Sequence, residues 1–147
     1  MKERARPPST KAEPDPSPKI FISHASTDLW IARQIAKEIV LCGARTFLDE
    51  GDIAHGDDFD DEILKAEEQC TELLVLLTPW SLSRAYIWLE IGYFRRSGKR
   101  IVGVLHGLTV AEVSSDPRIP NLLKRLDMVD LNRLDTYLQQ LRTRIGG

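Results

Sequence analysis

A single carboxylate interrupts an apolar helix face in this sequence. If residues 83–96 wind as a helix at about 100° per residue, one broad face carries Glu90 among five apolar side chains: Tyr86, Ile87, Ile91, Tyr93 and Phe94. The positions three and four residues from Glu90 hold no Lys or Arg, so it lacks an ion-pair partner on its own helix. Because an unsupported carboxylate is costly to bury, we expect Glu90 to line a cleft and to be a functional group.

Two short polar segments that follow predicted strands are the next candidate contacts for a ligand. Residues 23–26 (SHAS) are small and polar enough to bring backbone amides and hydroxyls against a ligand at a helix N-terminus. Residues 78–83 (TPWSLS) lead into the helix that carries Glu90. The alternative is local: Ser26 and Asp28 would cap one helix, and Ser81 or Ser83 the other. Capping and ligand contact can coexist.

Histidine and acidic residues do not form a metal site by their spacing. His24 is either a general base or a residue that braces its loop, and the three histidines are too widely scattered to bind a metal together. Eight carboxylates lie among the fourteen residues from Asp49 to Glu62. They lack the ligand alternation of an EF-hand loop, whereas a cluster at a helix N-terminus is favoured by the helix dipole. We predict no metal.

The acidic stretch has a basic counterpart that suggests self-association. Arginines and lysines surround the third predicted helix, at Arg84, Arg95, Arg96, Lys99 and Arg100. Such charge separation suits head-to-tail assembly, and its alternative is a pair of solvated faces. Trp88 points away from the apolar face of the same helix, so we expect it to be exposed or covered by a partner.

Strand and helix patterns alternate along the chain, which predicts an α/β fold. The runs LLVLL at 73–77 and IVGVL at 101–105 are continuously apolar, as parallel strands covered on both faces require. Gly43 and Gly98 fit the left-handed position after a helix end. We predict residues 107–121 as a loop. The predicted strands are 19–23, 44–48, 72–78, 101–105 and 128–131, and the predicted helices are 28–42, 58–69, 83–97 and 133–144.

Composition limits the function classes. The 147 residues carry a formal net charge of −2 and 42% apolar residues, which suits one globular domain and gives no bulk attraction to nucleic acid. Residues 1–18 hold five of the eight prolines and are predicted to be a disordered tail before a domain at 19–145. Cys42 and Cys70 lack a CxxC spacing and are expected to be reduced core residues. No leader-like or membrane-spanning apolar run occurs, so we expect a cytoplasmic protein without membrane contact.

Four ordered segments resemble Toll/interleukin-1 receptor (TIR) domains of the bacterial type. They are residues 19–24 with Asp28, residues 44–49 with Gly56, residues 74–81, and residues 84–92 with Glu90. The resemblance implies a flavodoxin-like three-layer fold with a five-stranded parallel sheet of order 2-1-3-4-5, in which ligands settle between the first and third strands. It also places residues 49–58 in the family's mobile loop.

Many family members cleave the nicotinamide–ribose bond of NAD, and the resemblance assigns their catalytic glutamate to Glu90. The implied products are nicotinamide and ADP-ribose, or a cyclic isomer if the adenine ring attacks, with NAD as substrate and no cofactor. His24, Ala25 and Ser26 match the family's substrate loop, and Ser83 is expected on the Glu90 side of the helix. Two departures stand out: Tyr86 replaces the Trp often found four residues before the glutamate, and the loop lacks arginines for phosphate.

Three functions compete, of which the first two follow from this resemblance. The first is an NAD glycohydrolase that acts in bacterial defence when its domains assemble as a homo-oligomer or with other TIR domains. The second is a non-enzymatic module that recruits other TIR domains, in which Glu90 is incidental. The third, a nucleoside deoxyribosyltransferase-like enzyme, shares the broad fold but suits residues 47–56 and 86–92 less well.

Overall fold

The computed structural model describes residues 17–48, 59–121 and 125–146 of the chain. The predicted tail at 1–16 and the acidic segment 49–58 lie outside the described residues. Within them, strands and helices alternate: β1 (Lys19–Ser23), α1 (Leu29–Leu41), β2 (Arg45–Leu48), α2 (Phe59–Gln69), β3 (Glu72–Leu77), α3 (Ala85–Arg96), β4 (Arg100–Leu105), α4 (Val110–Ser115), β5 (Asp127–Asp130) and α5 (Leu134–Gly146).

The five strands form one parallel sheet in the order β2-β1-β3-β4-β5, as predicted. In the register of the central pair, Ser23 at the end of β1 stands opposite Val75 of β3. The chain leaves these two neighbouring strands in opposite directions, toward β2 and toward β4. The carboxyl ends of β1 and β3 therefore flank the point at which the strand order reverses, where ligands bind in such sheets. This is the flavodoxin-like α/β fold.

The core has two layers because successive residues of each strand point to opposite faces of the sheet. Ile20, Leu74 and Val102 belong to a cluster with α1 and α5. Phe21 and Leu73 belong to the second cluster, which includes residues of α2 and α3. All six residues of β3 are buried, which explains its continuous apolar sequence.

The predicted element boundaries agree with the structure to within two residues, but the loop predicted at 107–121 contains the helix α4. Thr109 and Glu112 form a capping box at its start: the Thr109 hydroxyl accepts from the Glu112 amide at 3.1 Å, and the Glu112 carboxylate accepts from the Thr109 amide at 2.8 Å. Val113 is the buried anchor of this six-residue helix. A single apolar anchor gives too weak a periodic pattern to be recognised in sequence, which is why the prediction was wrong here.

Local predictions about glycine and tryptophan have different outcomes. Gly43 and Gly98 have φ of 101° and 71° after α1 and α3, which confirms their left-handed positions. The Lys99 amide closes the end of α3 on the Phe94 carbonyl at 3.0 Å. Trp88 is half-buried and packs against the second core cluster, so the expectation of an exposed or partner-covered ring was wrong.

Both cysteines are free and buried, as expected. Burial raises the pKa of the Cys70 thiol to about 11, an effect opposed by nearby cations, of which Lys19 acts most strongly. Ser17 and Pro18, placed in the tail by the sequence, contact the sheet edge: the Arg45 guanidinium donates to the Ser17 carbonyl at 2.9 Å. None of the helices in the described ranges is both long and apolar enough to cross a bilayer.

Candidate active site

Helix α3 carries Glu90 toward the sheet because its neighbours on the helix are core residues. Ile87, Ile91 and Phe94 are fully buried against the second core cluster, and Glu90 lies one turn after Ile87 on the same face. Glu90 itself is 7% exposed. The helical-wheel prediction that this carboxylate faces inward is therefore confirmed by the structure.

The Glu90 carboxylate meets the last residue of β1. The Ser23 hydroxyl donates a short hydrogen bond to Glu90 Oε1, and Ser23 is 2% exposed. This contact places the carboxylate at the carboxyl end of β1, beside the reversal in strand order. A donated hydrogen bond stabilises the charged form of a carboxylate and fixes its orientation.

Tyr86 makes a second connection between α3 and the loop after β1. Its hydroxyl donates to the His24 carbonyl at 2.6 Å, one helical turn before Glu90. Two side chains thus hold one helix face against residues 23 and 24. The ring of Tyr86 remains 39% exposed, so it borders the site from the solvent side.

His24 is 7% exposed, and its Nδ1 lies 2.8 Å from the Ala25 carbonyl. Because a carbonyl oxygen only accepts, Nδ1 is the donor in this pair. The geometry agrees with the loop-bracing interpretation of His24. Ala25 is completely buried, whereas Ser26 is exposed in a short 3₁₀ turn.

The loops after β1 and β3 are joined by a buried polar network. The Thr78 hydroxyl donates to Asp28 Oδ2 at 2.7 Å and accepts from the Ser81 amide at 3.1 Å. The Ser81 hydroxyl accepts from the Thr78 amide at 2.9 Å. All three side chains are at most 4% exposed, so this network rigidly fixes the two segments that flank the switch point.

The capping alternative is wrong for the residues that were considered. Asp28, at the start of α1, makes no side-chain capping bond, and α3 begins after Arg84, which makes none either. The Asp28 carboxylate instead accepts the hydrogen bond from the Thr78 hydroxyl. Ser83 is exposed in the 3₁₀ turn before α3, and its hydroxyl donates to the Trp80 carbonyl at 3.0 Å. Its expected position on the Glu90 side of the first helical turn therefore shifts to the preceding turn.

The structure thus links α3 to the end of β1 by two hydrogen bonds: Glu90 bonds to Ser23, and Tyr86 bonds to the His24 carbonyl. Ser26 and Ser83 lie at the surface. Sequence reasoning missed the direct roles of Ser23, Tyr86 and Thr78. The available signal was a polar residue at the last position of a buried strand, as for Ser23, or directly after one, as for Thr78. In the described parts of the chain, no three His, Cys, Asp or Glu side chains lie close enough together to hold a metal ion.

A five-stranded parallel sheet of this strand order, covered by helices on both faces, defines the class of flavodoxin-like α/β domains. Within that class, the family model for the TIR domain matches residues 20–144. The chain therefore belongs to the TIR domain family.

Curated and solved relatives are consistent with this family. The chain is 23% identical over 133 residues to the "Probable 2' cyclic ADP-D-ribose synthase BdTIR" of Brachypodium distachyon, covering 87% of this chain and 58% of that protein. It thus spans well under two thirds of that relative. The TIR domain of the Toll-related receptor TRR-2 from Hydra magnipapillata superposes with a TM-score of 0.62 at 17% identity, covering 84% and 97% of the two chains. A TIR-STING receptor from C. gigas gives 0.64 at 22%, covering 84% and 39%.

Proposed function

We propose that this protein is an NAD glycohydrolase that breaks the nicotinamide–ribose bond, with Glu90 as its catalytic residue. The observation that carries the proposal is the position of Glu90: 7% exposed, oriented by the Ser23 hydroxyl, and located at the switch point of the sheet. Membership of the TIR family supports it. The name of the Brachypodium relative supports it too, since a cyclic ADP-ribose forms when a group of the same molecule replaces water as nucleophile.

The proposed chemistry needs one carboxylate and a good leaving group. The bond between ribose C1′ and the nicotinamide ring nitrogen breaks, and its electron pair stays with nicotinamide. Glu90 accepts hydrogen bonds from the ribose hydroxyls and stabilises the positive charge that develops on the sugar. The oxygen of water then bonds to C1′ and loses a proton, which gives ADP-ribose.

The loop after β1 would supply the remaining substrate contacts. Backbone amides of residues 24–26 are the candidates for phosphate, because Ala25 and His24 are buried and present mainly their backbone. Ser26 and Ser83 are exposed in the turns that follow β1 and β3, and we propose them as substrate contacts through their hydroxyls. We further propose that assembly of the domains activates the enzyme, as in a defence effector.

The alternative function is a TIR–TIR interaction module without catalysis. The observation that favours it is the set of large apolar side chains at the surface of α1, of which Trp30 is 68% and Leu41 78% exposed. Large exposed apolar side chains on one element mark docking surfaces. An assembled wild-type protein that leaves NAD intact would support this second function.

The test is nicotinamide release from NAD by assembled protein, compared between wild type and Glu90→Gln. We expect wild type to consume NAD and the variant to lose at least about 100-fold, the scale for removing one charged transition-state group. The matched control is Glu67→Gln on α2. Glu67 is just as buried, at 5% exposure, but its backbone carbonyl accepts from the Lys99 ammonium group near the amino end of β4, away from the site. Equal rates in wild type and Glu90→Gln would exclude Glu90 from the chemistry.

A further inference from the structure

An apolar groove that the proposed active site does not use lies between α1 and the end of the edge strand β2. A cavity of ≈ 550 Å³ is lined by Arg33, Ala36, Lys37, Val40, Leu41 and Leu48. Val40 and Leu41 are 53% and 78% exposed, and Trp30 on the same helix is 68% exposed. The groove therefore combines uncovered apolar surface with two cations.

The outer face of α2 carries charges opposite in sign to those of the groove, together with one exposed apolar side chain. Leu64 is 50% exposed. Three carboxylates and one ammonium group are exposed around it, which leaves a net negative charge: Asp61, Glu62, Glu68 and Lys65. Asp61, Leu64 and Glu68 share one side of the helix because they are three, four and seven residues apart. This acidic ridge thus presents one apolar side chain between two carboxylates.

The groove and the acidic ridge face away from each other across the sheet. Helix α1 packs through Ile35 and Ile39 on one sheet face, and α2 packs through Ala66 on the other. A chain cannot fill its own groove with its own α2. The ridge of a second copy can fill it, and the same contact can then repeat, since the two surfaces differ.

We propose that the α1 groove of one copy receives the α2 ridge of a second copy in a head-to-tail contact. Leu64 enters the groove beside Val40 and Leu41. The Glu68 carboxylate of the ridge lies beside the Lys37 ammonium group of the groove, which gives the contact one pair of opposite charges. The contact gives the self-association of the proposed function a defined surface, and it is distinct from the basic α3 face suggested by sequence.

The experiment is sedimentation velocity at low salt, from about 10 µM to about 1 mM protein, without NAD. We expect the mass of wild type to rise with concentration. Lys37→Glu and Glu68→Lys should each weaken association at least about tenfold, because like charges then meet at the contact. Melting temperatures near that of wild type check that both variants fold.

Mixing the two variants tests the head-to-tail geometry. The altered groove of Lys37→Glu accepts the altered ridge of Glu68→Lys, and the unaltered groove of Glu68→Lys accepts the unaltered ridge of Lys37→Glu. An equimolar mixture should therefore regain the association that each variant alone has lost. A chain that carries both Lys37→Glu and Glu68→Lys should also associate like wild type, because opposite charges again meet at the contact. Arg95→Glu on α3 is the matched charge reversal and should leave association unchanged.

Three results would overturn the proposal: wild type monomeric at about 1 mM, no recovery in the mixture, or loss of association in Arg95→Glu alone. Binding of phosphatidylserine vesicles by wild type and not by Lys37→Glu, without self-association, would assign the groove to a membrane instead. The readout is mass in the absence of NAD, so failure of this contact is distinguishable from failure of the proposed catalysis.

Discussion

Glu90 illustrates how neighbouring residues turn an ordinary side chain into a candidate catalytic group. Its helix neighbours Ile87 and Ile91 bury it, and Ser23 supplies a hydrogen bond from another element. Electrostatic interactions gain strength when water is excluded. A carboxylate held in this way needs little reorganisation when positive charge develops beside it.

Removing the Ser23 hydroxyl should impair catalysis through orientation. We expect Ser23→Ala to lower kcat about tenfold, because a hydrogen bond to a charged group contributes roughly 1.5–3 kcal/mol, with a small change in KM. The acidic limb of the pH–rate profile should also move to higher pH, since the carboxylate loses a bond that favours its charged form.

Steady-state kinetics across pH measure both effects, and Ser26→Ala in the exposed turn two residues past His24 is a control for loss of a nearby serine. An unchanged pH profile with a reduced melting temperature would instead make Ser23 a purely structural residue. Tyr86→Phe offers a comparison, because it removes the bond to the His24 carbonyl and leaves the Glu90 carboxylate bonded.

At the scale of elements, α5 is bonded to the amino end of the central strand β3, at the opposite end of that strand from the site. Arg144 in its last turn forms a two-pronged ion pair with Glu72 at the start of β3. The Tyr137 hydroxyl donates to the same carboxylate at 3.4 Å. Glu72 is 4% exposed. Hydrogen bonding to Glu72 raises the pKa of Arg144, so the pair stays charged.

Breaking this pair should destabilise the fold and leave the site chemistry intact. We expect Arg144→Ala to lower the free energy of unfolding by about 2 kcal/mol, because a buried carboxylate then loses its counter-charge. Urea unfolding measures it, with Arg142→Ala on the same helix as control, since Arg142 is exposed. Equal stability of the two variants would mean that Glu72 is satisfied without Arg144.

At the scale of the whole molecule, the buried Cys70 thiol and Tyr137 hydroxyl lower the stability of the fold at alkaline pH. Burial raises the pKa of Cys70 from an ordinary 9.0 to about 11. Burial, with the nearby Glu72 charge, also raises the pKa of Tyr137. The folded protein therefore keeps protons that the unfolded chain releases above pH 9. Their stabilising contribution is complete below that pH and is lost as pH rises through the folded-state values.

We expect the free energy of unfolding to fall between pH 9 and pH 11 by up to about 2–3 kcal/mol from Cys70, since each pKa unit corresponds to about 1.4 kcal/mol. Urea unfolding with reductant at several pH values measures the fall. Cys70→Ala should reduce the fall to the part that Tyr137 contributes, whatever the stability of this variant at pH 7. A wild-type curve parallel to that of Cys70→Ala would contradict the prediction.

The sequence by itself determined the fold and the inward position of Glu90. Continuous apolar strands, glycine stops and the helical period are local signals, and each follows from backbone geometry or from burial on both sheet faces. The same signals singled out residues 23–26, of which Ser23 and His24 contact the helix that carries Glu90. They failed at α4, where a single buried anchor leaves no periodicity.

Only the tertiary structure decided which residues meet. Ser23 and Glu90 are 67 positions apart, and Thr78 and Asp28 are 50 apart. No periodicity links such pairs, because their contact depends on the order of strands and on the depth at which each helix packs. For the same reason, the sequence suggests a capping role for Asp28, whereas its carboxylate accepts a hydrogen bond from Thr78 in the loop after β3. The placement of α1 and α2 on opposite sheet faces likewise follows from packing, and it alone revealed the groove and the ridge as surfaces for separate copies.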